Sequence, residues 1–138
     1  MRHAKALWLI LLLLSISTAA LMGADGAWLR KVPQTDRQRV NPYADNPEAI
    51  AAGKLLFQEN CAKCHGSDAE GRRGRPSLHS ERVATATDGE LAWLLRNGSL
   101  GKGMPSWSSL PEPERWQLIA FLRSLPRDGP PADAVRHP

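Results

Sequence analysis

The chain has only two cysteines, and both fall in one pentapeptide, Cys61-Ala62-Lys63-Cys64-His65. A structural zinc site would need a second pair of ligands, which the remaining histidines, His3, His79 and His137, do not supply at finger-like spacing. No alternating β-branched run precedes Cys61, so the strand that should lead into a redox dithiol is missing as well. Charge of one sign is scarce where it would count. The net charge is +4, yet Arg2, Lys5, Arg30, Lys31, Arg37 and Arg39 precede the segment from Ala44 to Pro126, in which ten Lys/Arg meet ten Asp/Glu. That balance argues against a nucleic-acid-binding face. Thioethers are as rare: Met1 and Met22 lie in the N-terminal leader, and Met104 is the one methionine of the remaining chain.

What is present is the order of Cys61, Cys64 and His65. In a helical turn, two thiols three residues apart reach the same edge of one planar group, and the adjoining imidazole can bind a metal at its centre. C-x-x-C-H is the attachment sequence of c-type haem: each thiol adds across a vinyl group to form a thioether, and the histidine becomes the proximal iron ligand. Met104 lies in a loop too rich in glycine for regular structure, Gly98 to Trp107, and is followed by Pro105. A soft sulfur held there suits the sixth position of haem iron opposite His65, the alternative being a methionine that fills a gap. His79 is the rival ligand. Only a short loop separates it from His65, the opposite haem face is hard to reach from there, and a surface histidine is the expectation. The loop leaving His65 must turn back beside it, so that a backbone carbonyl near Pro76 and Leu78 can accept the second imidazole N–H. Arg72, Arg73 and Arg75 in this loop read as a solvated surface, or else as a partner for a haem propionate or a docking rim.

Residues 1–22 open with Arg2 and Lys5 and continue as an apolar run, an export segment. Thr18-Ala19-Ala20 offers a peptidase site, but about 17 apolar residues at helical rise span about 26 Å, nearly a bilayer core. Trp28, Arg30 and Lys31 would suit an interfacial anchor. Both readings, membrane anchor and cleaved signal, stand, and both place the rest of the chain outside the cytoplasm. Residues 23–43 show no sustained apolar period and read as a flexible linker, and residues 127–138, with Pro130-Pro131, as a disordered tail.

Between them, residues 44–126 carry three helix signatures. Asn46-Pro47-Glu48 combines a cap, a preorganised first position and an acid at the dipole's positive end, with the helix running to about Asn60. Gly53 on its apolar side marks either a close approach of another helix, with Ala120 the candidate contact, or a tolerated glycine. Thr87-Asp88-Gly89-Glu90 is a capping box opening a helix that should stop at Asn97-Gly98, with Trp93 most simply a core residue. Glu112-Pro113-Glu114 opens the last helix, which Pro126 closes.

From Asn46 to Leu125 the sequence resembles the monohaem class I cytochromes c, especially small bacterial cytochrome c domains. The resemblance rests on Cys61-Ala62-Lys63-Cys64-His65-Gly66 and Gly103-Met104-Pro105, with Gly53, Phe57 and Trp116 to Leu125 in support. It implies an all-α, cytochrome c-like fold of about three to five helices around one covalently bound haem c, with the terminal helices crossing beside it. It also implies thioethers at Cys61 and Cys64 and axial ligation by His65 and Met104. The family's Gly-Pro-x-Leu is here Arg75-Pro76-Ser77-Leu78, and the Pro76 carbonyl takes the part of His65's partner.

A domain of roughly 80 residues buries little core, so the covalent haem is expected to act as a staple and the apo form to fold poorly. The expected function is single-electron transfer between redox partner proteins docking at the exposed haem edge, with Pro76, Leu78, Trp93 and Trp107 lining the haem pocket. A six-coordinate iron leaves no open site, so no enzymatic chemistry is expected. Two alternatives remain: a haem enzyme or gas sensor with a displaceable Met104, and a tethered cytochrome subunit of a dehydrogenase or oxidase complex.

Overall fold

The computed structural model describes residues 26–128, so the leader and residues 129–138 of the tail lie outside the described residues. The chain divides into two compact units between Lys31 and Val32. In the first, Ala27–Lys31 is a 3-10 turn. The regular elements described in the second are all helices, and no helix among the described residues is long and apolar enough to cross a membrane. Its α-helices are α1 (Gln34–Arg37), α2 (Pro47–Asn60), α3 (Ala62–His65), α4 (Glu81–Thr85), α5 (Asp88–Asn97) and α6 (Glu112–Ser124). The three long ones are those signalled in the sequence, and three single-turn helices join them.

Each long helix starts where its chemistry directs. The Asn46 side chain accepts the Ala49 N–H at 2.7 Å and Pro47 takes the first position of α2. At α5, Thr87 Oγ1 accepts the Glu90 N–H at 3.1 Å while the Thr87 N–H donates to Glu90 Oε2 at 2.8 Å. Two orphan donors are thus satisfied reciprocally.

The core is the crossing of α2 and α6, the most extensive helix contact of the domain. Phe57, Leu118 and Ile119 are fully buried there, and the Phe57 and Phe121 rings lie 5.3 Å apart. Gly53 is the crossing point. A Cβ on it would lie 2.0 Å from the Gln117 carbonyl oxygen and 3.0 Å from Phe121 Cβ, so the closest approach is that of the α6 backbone at Gln117, with Phe121 beside it. Ala120 is buried one turn along.

The expectation of a flexible linker over residues 23–43 needs correction from Val32 onward. Val32 and Asn41 are buried, and the arm between them is held by polar bonds that no apolar period reveals. Arg37 pairs with Glu90, Thr87 Oγ1 donates to the Arg37 carbonyl at 3.0 Å, and Asn41 Nδ2 donates to the Trp116 carbonyl at 2.9 Å. Arg39 lies over the Trp116 ring at 5.0 Å. Gly89 makes the approach possible: a Cβ there would sit 1.8 Å from the Asp36 carbonyl oxygen.

Arg123 gathers the short α4 against the two long helices. Its guanidinium donates to Asp88 Oδ1 at 2.7 Å and to the carbonyls of Val83, at 2.8 Å, and of Ala84 and Ala86 at the end of α4. The start of the tail is likewise tied down, where disorder was expected. The Asp128 N–H donates to the His79 carbonyl at 3.0 Å and Ser77 Oγ donates to Asp128 Oδ2 at 2.9 Å. His79 is itself buried, not on the surface as expected. Its two ring nitrogens lie 2.7 Å from the Pro126 carbonyl and 2.6 Å from the Asp68 carbonyl, which takes up both nitrogens without any metal.

Candidate functional site

α2 ends at Cys61, and α3 is the single turn that follows. The Cys64 and His65 N–H groups both donate to the Cys61 carbonyl at 3.0 Å, which sets the two cysteines one turn apart on a short, rigid piece of helix. Neither forms a disulfide; Cys61 is half-buried and Cys64 exposed. Burial, with the neighbouring Cys64 adding to it, pushes the Cys61 thiol up to about 11, so it stays protonated at neutral pH.

Gly66, at φ +84°, ends the turn and sends the chain into the loop that comes back under His65. That loop closes by the Gly71 N–H on the His65 carbonyl at 2.7 Å and the Leu78 N–H on the Ala69 carbonyl at 2.8 Å, with Ala69 wholly buried. Gly71, at φ +82°, must be glycine, since a Cβ would lie 2.5 Å from the Arg75 carbonyl oxygen. The loop so folded delivers the Pro76 carbonyl to the imidazole, where His65 Nδ1–H donates to it at 3.2 Å. This fixes the tautomer and leaves the Nε2 lone pair available to a metal. Burial, opposed by the Pro76 carbonyl and reinforced by Arg75, holds His65 below its ordinary value, in the neutral form that binds metals.

The second loop follows α5. Ser99 and Met104 form a two-bond bridge, the Ser99 N–H on the Met104 carbonyl at 2.9 Å and the Met104 N–H on the Ser99 carbonyl at 3.1 Å. The Trp107 N–H donates to the Leu95 carbonyl at 2.8 Å and returns the chain to α5. Met104, Leu78, Trp93 and Trp107 are half-buried, and Pro76 is exposed. The structure joins His65 to Pro76 directly and the two loops to each other through Arg75, whose Nη1 donates to the Lys102 carbonyl at 2.6 Å.

The sequence places Arg75 only among the loop arginines, as solvated surface, propionate partner or docking rim, and its bond to the Lys102 carbonyl is what that reading misses. Its signal was its place in the Gly-Pro-x-Leu pattern, where it stands for the glycine. Arg72 and Arg73 remain exposed and, with Lys63, Cys64 and Arg75, line a cleft beside the exposed thiol. The donor set fits a haem iron flanked by thioethers: two uncommitted thiols one turn apart, a neutral imidazole with its far nitrogen fixed, and a thioether on a braced loop.

Comparison with known proteins agrees with this chemistry. The family profile "Cytochrome C oxidase, cbb3-type, subunit III" matches residues 48–122. The chain is 33% identical over 90 residues to the cbb3-type cytochrome c oxidase subunit CcoP of Rubrivivax gelatinosus, covering 64% of this chain and 30% of that protein. It is 36% identical over 83 residues to the subunit FixP of Sinorhizobium medicae, covering 57% and 28%. It thus spans under a third of the length of these curated relatives. Among solved structures, cytochrome cL of Methylophaga aminisulfidivorans superposes with a TM-score of 0.56 at 31% identity, over 63% of this chain and 59% of that one. With the profile covering more than half its length, the chain belongs to the family of cbb3-type cytochrome c oxidase subunit III, as a cytochrome c domain whose cofactor is covalently bound haem c.

Proposed function

We propose that the domain is a single-electron carrier in which Cys61 and Cys64 hold the haem by thioethers, His65 Nε2 ligates the iron proximally and the Met104 sulfur ligates it distally. The observation that carries this reading is the donor set on one turn, with the His65 Nδ1–H already engaged by Pro76. Bound there, the haem supplies a one-electron iron couple, which His/Met ligation sets on the positive side. The Pro76 carbonyl orients the imidazole and fixes its tautomer, while burial keeps it neutral. The Ser99–Met104 bridge holds the sulfur's backbone in a closed loop, and Leu78, Trp93 and Trp107 provide the apolar surface that limits water near the iron. A partner protein docks on the Cys64 side, where Lys63, Arg72 and Arg73 make the rim basic and favour an acidic surface.

The test is carbon monoxide binding to the dithionite-reduced, haem-loaded protein and to Met104→Ala. A parent that ignores carbon monoxide beside a variant that binds it supports the carrier. A parent that binds it readily overturns closure by Met104 and brings the enzyme or sensor reading forward.

A second reading, that the chain serves as a cytochrome subunit of an oxidase complex, is favoured by its relatives CcoP and FixP, which are cbb3-type oxidase subunits. Co-purification with an oxidase from solubilised membranes supports it; recovery as a free protein argues for a mobile carrier. The leader of residues 1–22 would place either form on the outer side of the cytoplasmic membrane. Intact mass of the exported protein separates anchor from cleaved signal.

A further inference from the structure

The tip of the Met104 loop is short of outside support. The backbone hydrogen bonds of residues 99–104 run within the loop: Ser99 with Met104, the Lys102 N–H to the Ser99 carbonyl, and the Gly103 N–H to the Leu100 carbonyl. Gly101, Lys102 and Gly103 are exposed, and a Cβ on Gly101 would meet nothing within 4 Å. One side chain reaches this tip from the proximal loop. Arg75 Nη1 donates to the Lys102 carbonyl at 2.6 Å, and the guanidinium fills the space a Gly103 side chain would take, with Nη1 2.8 Å and Nη2 3.1 Å from that Cβ position. Gly103 stands immediately before Met104.

The other end of Arg75 is fixed. Its N–H donates to the Arg72 carbonyl at 3.0 Å, its own carbonyl packs against Gly71, and the next carbonyl along, that of Pro76, holds His65. We propose that Arg75 is a positioning residue for Met104, a brace that ties the loop orienting His65 to the loop carrying the sulfur. This rests on the reading of Met104 as the distal ligand and adds the group that keeps it in place. The glycine of the Gly-Pro-x-Leu pattern could not make this contact, so the brace belongs to this chain's own sequence. An arginine suits the task because its planar fork engages a carbonyl while both terminal nitrogens lie against a glycine.

A hydrogen bond from a charged donor, partly exposed, should hold the closed loop by about three- to tenfold over the open one. Imidazole added to the ferric, haem-loaded protein competes with Met104 and reads that ratio directly. Arg75→Gly and Arg75→Met should bind it about three to ten times more tightly than the parent, with a weakened sulfur-to-iron charge-transfer band. Arg75→Lys, which keeps a donor for the Lys102 carbonyl, should return toward the parent. Arg123→Ala, which loosens the domain away from both loops, should leave imidazole affinity unchanged.

Parent-like affinity in both Arg75→Gly and Arg75→Met overturns the brace. So does Arg123→Ala matching them, or Arg75→Lys no closer to the parent than Arg75→Met. Failure of the underlying reading looks different: the parent itself would bind imidazole as tightly as Met104→Ala.

Discussion

The crossing of α2 and α6 and the pair of loops at residues 66–78 and 98–107 are held by different physics. At the crossing, Phe57, Leu118 and Ile119 are closed from solvent and the α6 backbone lies where a Gly53 side chain would be. The loops bury little besides Ala69; they keep their shape through backbone bonds and the reach of Arg75, while Met104, Leu78, Trp93 and Trp107 stay half-buried. Burial is non-directional and collective, whereas a loop held by single bonds can be loosened one bond at a time. Stability should therefore be lost at the crossing and ligand chemistry at the loops, and variants can be chosen to separate the two.

The largest effect should come where both regions depend on one group. Cys61→Ala/Cys64→Ala removes the covalent hold on the haem, so no haem should survive denaturing electrophoresis. Far-UV circular dichroism should show most helicity gone, because a domain of roughly 80 residues has too little core to fold unaided. Full native helicity in this variant would mean that the crossing alone sustains the fold.

Next comes Gly53→Ala. The added Cβ meets a backbone carbonyl that cannot swing aside, so the helices must separate, at a cost of about 3 kcal/mol or more. Thermal unfolding of the haem-loaded protein should register the loss, while the visible spectrum of the surviving folded fraction stays that of the parent. A spectrum changed as much as the melting temperature would show that the loops draw their order from the crossing.

A smaller effect is confined to the loops. Arg72→Glu/Arg73→Glu reverses charge on two exposed side chains beside Cys64. Oxidation of the ferrous protein by anionic ferricyanide should slow by about tenfold at low salt, with the difference vanishing near 1 M salt, where charges are screened within about 3 Å. Unchanged rates would put electron exit on another face. Melting temperature should not move, since exposed arginines contribute little to stability.

The two regions were unequally legible. The proposed donors stand in plain view: Cys61, Cys64 and His65 share one pentapeptide, so local geometry alone brings them together, and Met104 is the one thioether beyond the leader. The helix starts were readable from their caps. What escapes has a common cause: the partner is a backbone carbonyl, met by a hydrogen bond or by close approach, which every residue carries and no sequence marks. Gln117 under Gly53, Asp36 under Gly89, Lys102 under Arg75, and Asp68 with Pro126 around His79 are all of this kind. Glycine or a long donor at one end is visible, but the partner is not, so the sequence points to Ala120 where Gln117 comes closest, and to a flexible linker over residues 23–43 although the chain is packed from Val32 to Asn41.

The smallest effect concerns His79, where the proximal loop meets the chain leaving α6. Two carbonyls facing its two ring nitrogens both want an N–H, which only the imidazolium provides. The Asp68 carbonyl, against burial and with help from the Pro126 carbonyl and the Asp128 and Glu70 carboxylates, raises His79 above its ordinary 6.5. A base raised on folding contributes stability that is complete below its unfolded value and fades as pH climbs through the folded one. Denaturant unfolding of parent and His79→Gln, compared at each pH, isolates this contribution. The parent should exceed the variant by about 1 kcal/mol on the acid side of 6.5 and lose that margin as pH rises above it. His65, shifted the other way, is common to both proteins and drops out of the difference. A margin independent of pH would mean that His79 sits there neutral, with one carbonyl left without its donor.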